Sequence, residues 1–518
     1  MRLDRLLIVW TLVALATCAP IREDYVAQPS FAFDRPDTTP LGRAAATPQR
    51  DHAGQSGFRL LNNGVSALMT RAAMADHAEH SIDFQSFIVE GDEVGAFVIE
   101  HLLTAARRGV RVRILLDDFE LGLDDRILAR LDAEPNVEVR LFNPFPDRSR
   151  WSRPLQLAFG LDRLGRRMHN KVFVADGQAA LLGGRNISNL YFETSAESNF
   201  RDIELQVAGP VATEAGRSFD TFWNSAMVIP VKALGLDGKT AEAAAMLDRL
   251  LDLNGAEVGP AAEYRARSAE FSHRILDPAN LIWASAHVIA EPPVRQAEGA
   301  AKPSAEIARA HAIARQQAMR EVIYESAYFV PGDRGVQVLG DLTRRDVKVT
   351  VLTNSLASTD EVAVHASYAL YRPALLAAGV HLHEYRIDAS RPEPIGHHLH
   401  LGHSDSALHA KIVIYDRHLV WVGSANFDPR SRNLNTEIGV MIESEDLARV
   451  LLAGIERDFA PSQSWRVELA PGQVPGQLVW IGERDGQDVR LDSEPDTNPW
   501  RGLKALFYTA LPGIEELL

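Results

Sequence analysis

An α/β protein made of two related domains is what this sequence predicts, on three observations. Strand-like runs alternate with helix-like segments, which implies layers of helices against sheets. The order of elements in the first half recurs in the second, about 240 positions later. Two segments at that spacing, His169-Asn170-Lys171-Val172-Phe173-Val174-Ala175-Asp176 and His409-Ala410-Lys411-Ile412-Val413-Ile414-Tyr415-Asp416, both read H-x-K-x-x-x-x-D. Each is followed by a glycine and an asparagine at matched distances, in Gly183-Gly184-Arg185-Asn186 and Gly423-Ser424-Ala425-Asn426. A near-constant spacing across several landmarks means duplication of a whole domain.

The elements follow in chain order. Residues 1–18 read as a lipoprotein-type signal peptide. Arg2 and Arg5 precede an apolar run from Leu6 to Leu15, and Leu15-Ala16-Thr17-Cys18 resembles a lipobox. Cys18, the sole cysteine, is the expected lipidation site, and no intrachain disulfide can form. Residues 19–57, with Pro20, Pro29, Pro36, Pro40 and Pro48 and no apolar period, are expected to be an extended tether. The first domain is placed at 58–230. There Ser81–Val89 alternates like a half-buried strand, Val98, Leu102, Leu103 and Ala106 form a helical stripe, and Val110–Asp117 is a strand. Residues 231–304 read as a helical insert ending in a Pro/Ala/Gly-rich loop. The second domain, 305–465, repeats the order with a strand over Val322–Val330, a helix carrying Val336, Leu339 and Leu342, and a strand over Val347–Thr353. Residues 466–518 form an extension whose segment Pro499–Tyr508 is aromatic-rich and amphipathic, suited to a membrane interface or to docking on the body.

In each motif the residues after lysine are apolar, so His and Lys are expected on a strand, two apart and on one face. The following strand ends at glycine, where backbone and ligand can approach closely.

Composition narrows the function classes. The 518 residues are 46% hydrophobic and 24% charged, as in globular proteins of two or three domains. No interior run of about 20 apolar residues occurs, which excludes a polytopic membrane protein. The net charge of −15 argues against general binding of nucleic acid.

A doubled His/Lys/Asn set suits attack on phosphorus. One neutral imidazole attacks a phosphodiester to form a phosphohistidine. A second, protonated, donates to the leaving alkoxide and then deprotonates the incoming water or alcohol. Lys171 and Lys411 would hold the phosphoryl oxygens, with Asn186 and Asn426 adding hydrogen bonds. This chemistry calls for no metal and no cofactor. An attacking imidazole needs its other nitrogen oriented by a carboxylate. The candidates are Glu437, downstream of His409, and Asp202, downstream of His169. Asp176 and Asp416 complete the two catalytic motifs. At the far ends of their strands they are expected to brace the fold rather than touch substrate.

These motifs resemble the phospholipase D superfamily, in which two HxKxxxxD motifs form one active site. The resemblance implies two fused αβα sandwich domains related by a pseudo-two-fold axis around a shared site. Arg167-Met168-His169-Asn170-Lys171, Leu141-Phe142-Asn143-Pro144-Phe145, Leu352-Thr353-Asn354-Ser355-Leu356-Ala357, Val364-His365-Ala366-Ser367-Tyr368 and Gly423-Ser424-Ala425-Asn426-Phe427-Asp428-Pro429-Arg430-Ser431 are similar to the cardiolipin synthase C type. That implies transphosphatidylation, with phosphatidylglycerol as acceptor and phosphatidylethanolamine as donor. Phospholipid substrates and a membrane surface are then the expected partners. The signal places the protein in a bacterial envelope, facing the periplasm. A hydrolase with the same residues and water as acceptor is the alternative; a nuclease or a non-catalytic lipid-binding lipoprotein fits less well. By analogy with relatives His169 is the expected nucleophile and His409 the acid/base. The oligomeric state is left open.

Further residues are expected at substrate: Gly184, Ser424, Arg430 and Arg167. Arg148, Arg150, Arg153, Arg163, Arg166 and Arg167, interleaved with Trp151, Leu155, Leu157 and Phe159, are read as a lipid-headgroup grip. His397, His398, His400 and His403 are read as a polar loop at the cleft mouth, not as metal ligands.

Overall fold

The computed structural model describes residues 27–236, 238–255, 259–293, 305–389, 405–471 and 476–510. Cys18, the signal segment and the four clustered histidines lie outside the described residues, as does most of the Pro/Ala/Gly-rich loop.

The duplication extends to the strand order. In the first domain the strands lie in the spatial order Ser56–Leu61, Glu204–Ala208, Ala179–Gly183, Val172–Ala175, Ser81–Ser86, Arg111–Asp117, Val137–Phe142 and Val228–Pro230. In the second the order is Ile282–Ala290, Ile438–Glu443, Leu419–Gly423, Lys411–Tyr415, Glu321–Ser326, Lys348–Asn354, His381–Tyr385 and Ser464–Leu469. A hairpin of Leu478–Arg484 and Gln487–Leu491 extends the second sheet. Parallel and antiparallel pairs match one for one. The two sheets join edge to edge, Ser56 opposite Ala284 and Phe58 opposite Ile282. The result is one continuous sheet with two like halves.

Apolar residues decide which faces are covered. Val172–Ala175 is buried throughout, so helices must lie on both sides of it. Helices Gly64–His77 and Glu93–Arg107 cover one face of the first half. The Asp92 side chain caps the second of these by accepting from Gly95 N–H at 2.9 Å. Helices Pro210–Trp223 and Glu445–Asp458 both contribute to the core between the domains. Val211, Ala215, Leu447, Leu451 and Ile455 pack there with Val174, Leu205, Ile412 and Val440 in one core shared by both halves. Each fully buried aliphatic side chain of this kind contributes about 1.5–3 kcal/mol, so the halves are not separable modules.

Three expectations about boundaries are corrected. The proline-rich stretch is not an extended tether where it is described. Pro40–Asp51 is a helix capped by Thr39, which accepts from Gly42 N–H, and Pro40 sits at its start, where a missing N–H costs nothing. Ser30 and Ala32 donate to Asn224 and Asp220, and Arg113 and Arg140 donate to the carbonyls of Ser30 and Gln28. The first domain's sheet begins at Ser56, not 58. The insert is helical over Ala241–Leu251 and Pro260–Leu276. Its end, Ile282–Ala290, is instead the edge strand of the second sheet. Exposed His287 and small Ala and Ser residues blur the apolar alternation there.

Candidate active site

The two motif histidines stand at the junction of the halves. His169 and His409 lie just ahead of the strands Val172–Ala175 and Lys411–Tyr415, not within them. Each is fixed by the other domain's backbone. His169 N–H donates to Thr436 O at 2.9 Å, and His409 N–H to Arg201 O at 2.7 Å. Thr436 N–H returns a bond to Arg167 O, and its hydroxyl donates to the Asn170 side chain. A parallel pair, Ser198–Arg201 with Asp405–Leu408, makes the crossing on the His409 side. The expected strand pairing of His and Lys on one face therefore gives way to a cross-domain bridge. Both lysines fold back on their own motif: Lys171 Nζ donates to His169 O at 2.8 Å, and Lys411 Nζ to His409 O.

The orienting carboxylates are exchanged between domains. His169 Nδ1 is 2.9 Å from Glu437 Oε2, and His409 Nδ1 is 2.6 Å from Asp202 Oδ2. Each carboxylate follows one motif in sequence and serves the other in space. With Nδ1 engaged, Nε2 is the ring nitrogen left for chemistry. Phe87 meets the His169 ring edge-on at 5.1 Å, and Tyr191 meets the His409 ring at 4.9 Å. Neither half is complete without the other.

The electrostatics suit a neutral imidazole. Burial pushes His169 down to about 4, with Lys171 adding to the shift and Glu437 opposing it. Burial and then Lys411 push His409 down to about 3, against Asp202. Burial alone would raise the carboxylates. The bonded histidine first, then Lys171 at Glu437 and Lys411 and Arg185 at Asp202, hold both below their ordinary range. Each pair is thus an ionised carboxylate against a neutral imidazole. Burial also lowers Lys411 to about 8 and takes Lys171 well below the usual lysine range. An anionic phosphodiester entering this site would meet two lysines and restore the charge that burial disfavours.

The other expected site residues fall into three groups. Asp176 and Asp416, placed in the catalytic motifs, do not face the site. Asp176 accepts from the N–H groups of Glu79, His80 and Ser81 at 2.8–3.0 Å. Asp416 does the same for Met319, Arg320 and Glu321. Both adopt positive φ, 51° and 50°, which Asp tolerates at a turn.

Gly184 and Ser424, expected at substrate, face the carboxylates. A Cβ at Gly184 would come within 2.5 Å of Asp202 Oδ1. Ser424 Oγ donates to Glu437 Oε2 at 2.5 Å. Asn186 is already used: it donates to Tyr191 Oη at 2.9 Å and accepts from Ile88 N–H. Asn426 Oδ1 is buried without a hydrogen-bond partner among the described residues.

The arginines divide. Arg167, expected at substrate, is wholly buried and donates to Leu164 O at 2.7 Å and Asn143 O at 3.1 Å, beside Asp117. It shapes the turn into His169. Arg148, expected to grip lipid, pairs with Asp118 and Asp125. Arg430 does reach the cleft mouth, over the Phe119 ring at 5.4 Å and near Glu120 and Glu361. Sequence reasoning missed Thr436, Phe87 and Tyr191. Thr436 had a signal, since it directly precedes Glu437. The aromatic residues had none apart from burial.

Elsewhere, His365, Glu384 and Glu494 bring possible ligand atoms within 4.8 Å of one another. Arg372 already bridges the two carboxylates and offsets one of their two charges, which disfavours a cation.

Comparison with known proteins agrees with this geometry. The family described as cardiolipin synthase, PLD-like domain matches residues 72–223 and 313–459, the two halves of the fold. The chain is 37% identical to cardiolipin synthase C of Escherichia coli (strain K12), over 90% of this chain and 97% of that one. It is 27% identical to cardiolipin synthase B of Salmonella typhi, over 79% and 84%. Among solved structures, phosphatidylserine synthase of Haemophilus influenzae Rd KW20 shares the fold, with a TM-score of 0.51 at 14% identity over 82% of this chain and 92% of that one. Two like halves, crossed His–carboxylate pairs at their junction and a match along nearly the whole chain lead to one assignment: this protein belongs to the cardiolipin synthase, phospholipase D-like family.

Proposed function

We propose that this protein transfers a phosphatidyl group from one phospholipid to the glycerol headgroup of phosphatidylglycerol, forming cardiolipin, through a phosphohistidine on His169. The observation that carries this reading is the pair of imidazoles at one junction, each held through Nδ1 by the opposite domain's carboxylate. Relatives named as cardiolipin synthases, 37% and 27% identical, support the reaction class.

In the first step the His169 Nε2 lone pair attacks phosphorus, and the phosphorus–oxygen bond to the donor headgroup breaks. The His409 imidazolium passes its proton to the departing alkoxide. In the second step an acceptor hydroxyl attacks phosphorus and releases His169 while His409 takes the hydroxyl proton. Lys171, Lys411 and Asn426 hold the non-bridging oxygens. Unliganded His409 is neutral at neutral pH, so its protonation belongs to the substrate complex. There the phosphodiester charge favours the imidazolium, and each unit of upward shift corresponds to about 1.4 kcal/mol.

Phosphatidylethanolamine is the proposed donor. The proposed location is the bacterial envelope, periplasm-facing and anchored through Cys18. Among the described residues no helix is long and apolar enough to cross a membrane. The test is product analysis with vesicles of phosphatidylethanolamine and phosphatidylglycerol. Cardiolipin with stoichiometric ethanolamine is the expected result; phosphatidic acid without cardiolipin would make the protein a hydrolase.

A further inference from the structure

The helix Pro499–Thr509 sits on the body in an inverted orientation. Its basic side faces the protein: Arg501 donates to Leu356 O at 2.5 Å and also to Thr359 O. Its apolar side faces outward. Trp500, Leu503, Leu506 and Phe507 recur on one helical face and are 80%, 56%, 66% and 60% exposed. No residue of this helix is buried. A helix placed only to close the core would show the opposite pattern.

The apolar stripe lies at the cleft mouth. The helix rests on Val362–Ala369, and Lys504 acts on Glu361. The adjoining Asp360 accepts from Tyr328 Oη at 2.8 Å and feels the charge of Lys411. A second apolar prominence borders the same mouth from the first domain. Trp151 is 75% exposed and Leu155 is exposed near it. Arg153, between them, donates to Phe119 O at 3.2 Å. The Phe119 ring is covered by Arg430, which also acts on Glu361.

We propose that these two prominences, one from each domain, insert into the interfacial zone of a phospholipid bilayer and seat the mouth of the active site against it. This rests on the reading above that the substrates are phospholipids. A lipid-borne phosphodiester reaches two buried histidines only if their cleft opens onto the bilayer. Indole and phenyl rings beside lysine and arginine are suited to that zone. Charge attraction does not drive the contact. Glu120, Asp360 and Glu361 rim the mouth and the chain carries a net charge of −15. Binding therefore depends on apolar insertion and persists at high salt.

The direct test places nitroxide labels at Leu506→Cys and Trp151→Cys in full-length protein carrying Cys18→Ser, with Asp341→Cys as an exposed control. On vesicles of phosphatidylethanolamine and phosphatidylglycerol, both labels should gain collisions with oxygen and lose them with a water-soluble nickel complex, at low and high salt alike. The control should not change. Labels that stay accessible to nickel overturn the proposal. So do labels already immobilised without vesicles, which would mean that a second copy or the chain's own residues 511–518 cover the stripe. In parallel, Trp500→Ser with Phe507→Ser should lower turnover on vesicles by roughly tenfold or more and leave turnover of a monomeric short-chain phospholipid unchanged. Equal loss on both substrates assigns the helix a structural role and overturns the proposal. A parent protein inactive on both would instead refute the proposed function, and the label accessibilities would still decide the docking.

Discussion

The two half-sites use the same residue types but hold them differently. On the His169 side, Glu437 is gripped from several directions: besides His169 it accepts from Ser424 Oγ and from Ser431 Oγ at 2.9 Å. On the His409 side, Asp202 accepts from His409 and from Ile203 N–H, and among the described residues no hydroxyl donates to it. The difference begins at one equivalent position. Ser424 in one half is Gly184 in the other, where a Cβ would strike the Asp202 carboxylate. The lysines differ as well. Both donate to their own histidine's carbonyl, but Lys411 Nζ also stands 2.9 Å from His409 Nδ1. The carboxylate facing His169 is therefore the more firmly held of the two, which would suit the proposed nucleophile. The His409 half presses a cation toward the ring, and Lys411 follows burial as the next cause that lowers this imidazole. Under the proposed mechanism, this asymmetry would separate an attacking half from a proton-transferring half.

The comparison can be broken most severely at the histidines. His169→Ala and His409→Ala should each abolish transfer, at least about a thousandfold in kcat; near-normal turnover in either variant would end the shared-site account. The carboxylates come next. Asp202→Asn should cost roughly a thousandfold or more through loss of the correct tautomer, and Glu437→Gln roughly a hundredfold, because Ser424 and Ser431 still anchor the side chain. Equal losses would remove the distinction between a singly and a multiply held carboxylate.

Exchanging the differing residue probes the same point more gently. Gly184→Ser should lower kcat by about ten- to a hundredfold and destabilise the fold by roughly 1–3 kcal/mol through overpacking. Ser424→Gly, which removes one bond to a charged group, should cost about tenfold. The smallest expected effect is in pH dependence. Lys411, lowered to about 8, is charged below that value and neutral above it, so kcat/KM should fall as pH rises through about 8. In Lys411→Arg this alkaline limb should be missing, since arginine keeps its charge there.

Much of this architecture was legible in the chain. The repeat spacing exposed the duplicated fold, and the end-of-strand position of Asp176 and Asp416 pointed to bracing, which the triplets of N–H donors bear out. The exchange of Glu437 and Asp202 was not legible. Sequence distance measures how far a carboxylate lies from its own motif and says nothing about a partner brought in by a pseudo-two-fold. Arg167 misled because a charged residue next to a motif reads as a ligand contact until its burial beside Asp117 is known. The edge strand Ile282–Ala290 and the helix Pro40–Asp51 were hidden by small residues and by prolines whose position in a helix, not their number, sets their effect.

The division of labour between the halves is tested most directly by trapping the covalent intermediate. His409→Ala protein, mixed with a phosphatidyl ester of p-nitrophenol labelled in its phosphate and quenched early, should carry the label on the peptide containing His169, because that leaving group departs without a proton while deprotonation of the acceptor is slowed. Label on the His409 peptide of the parent protein, with none at His169, would contradict the account.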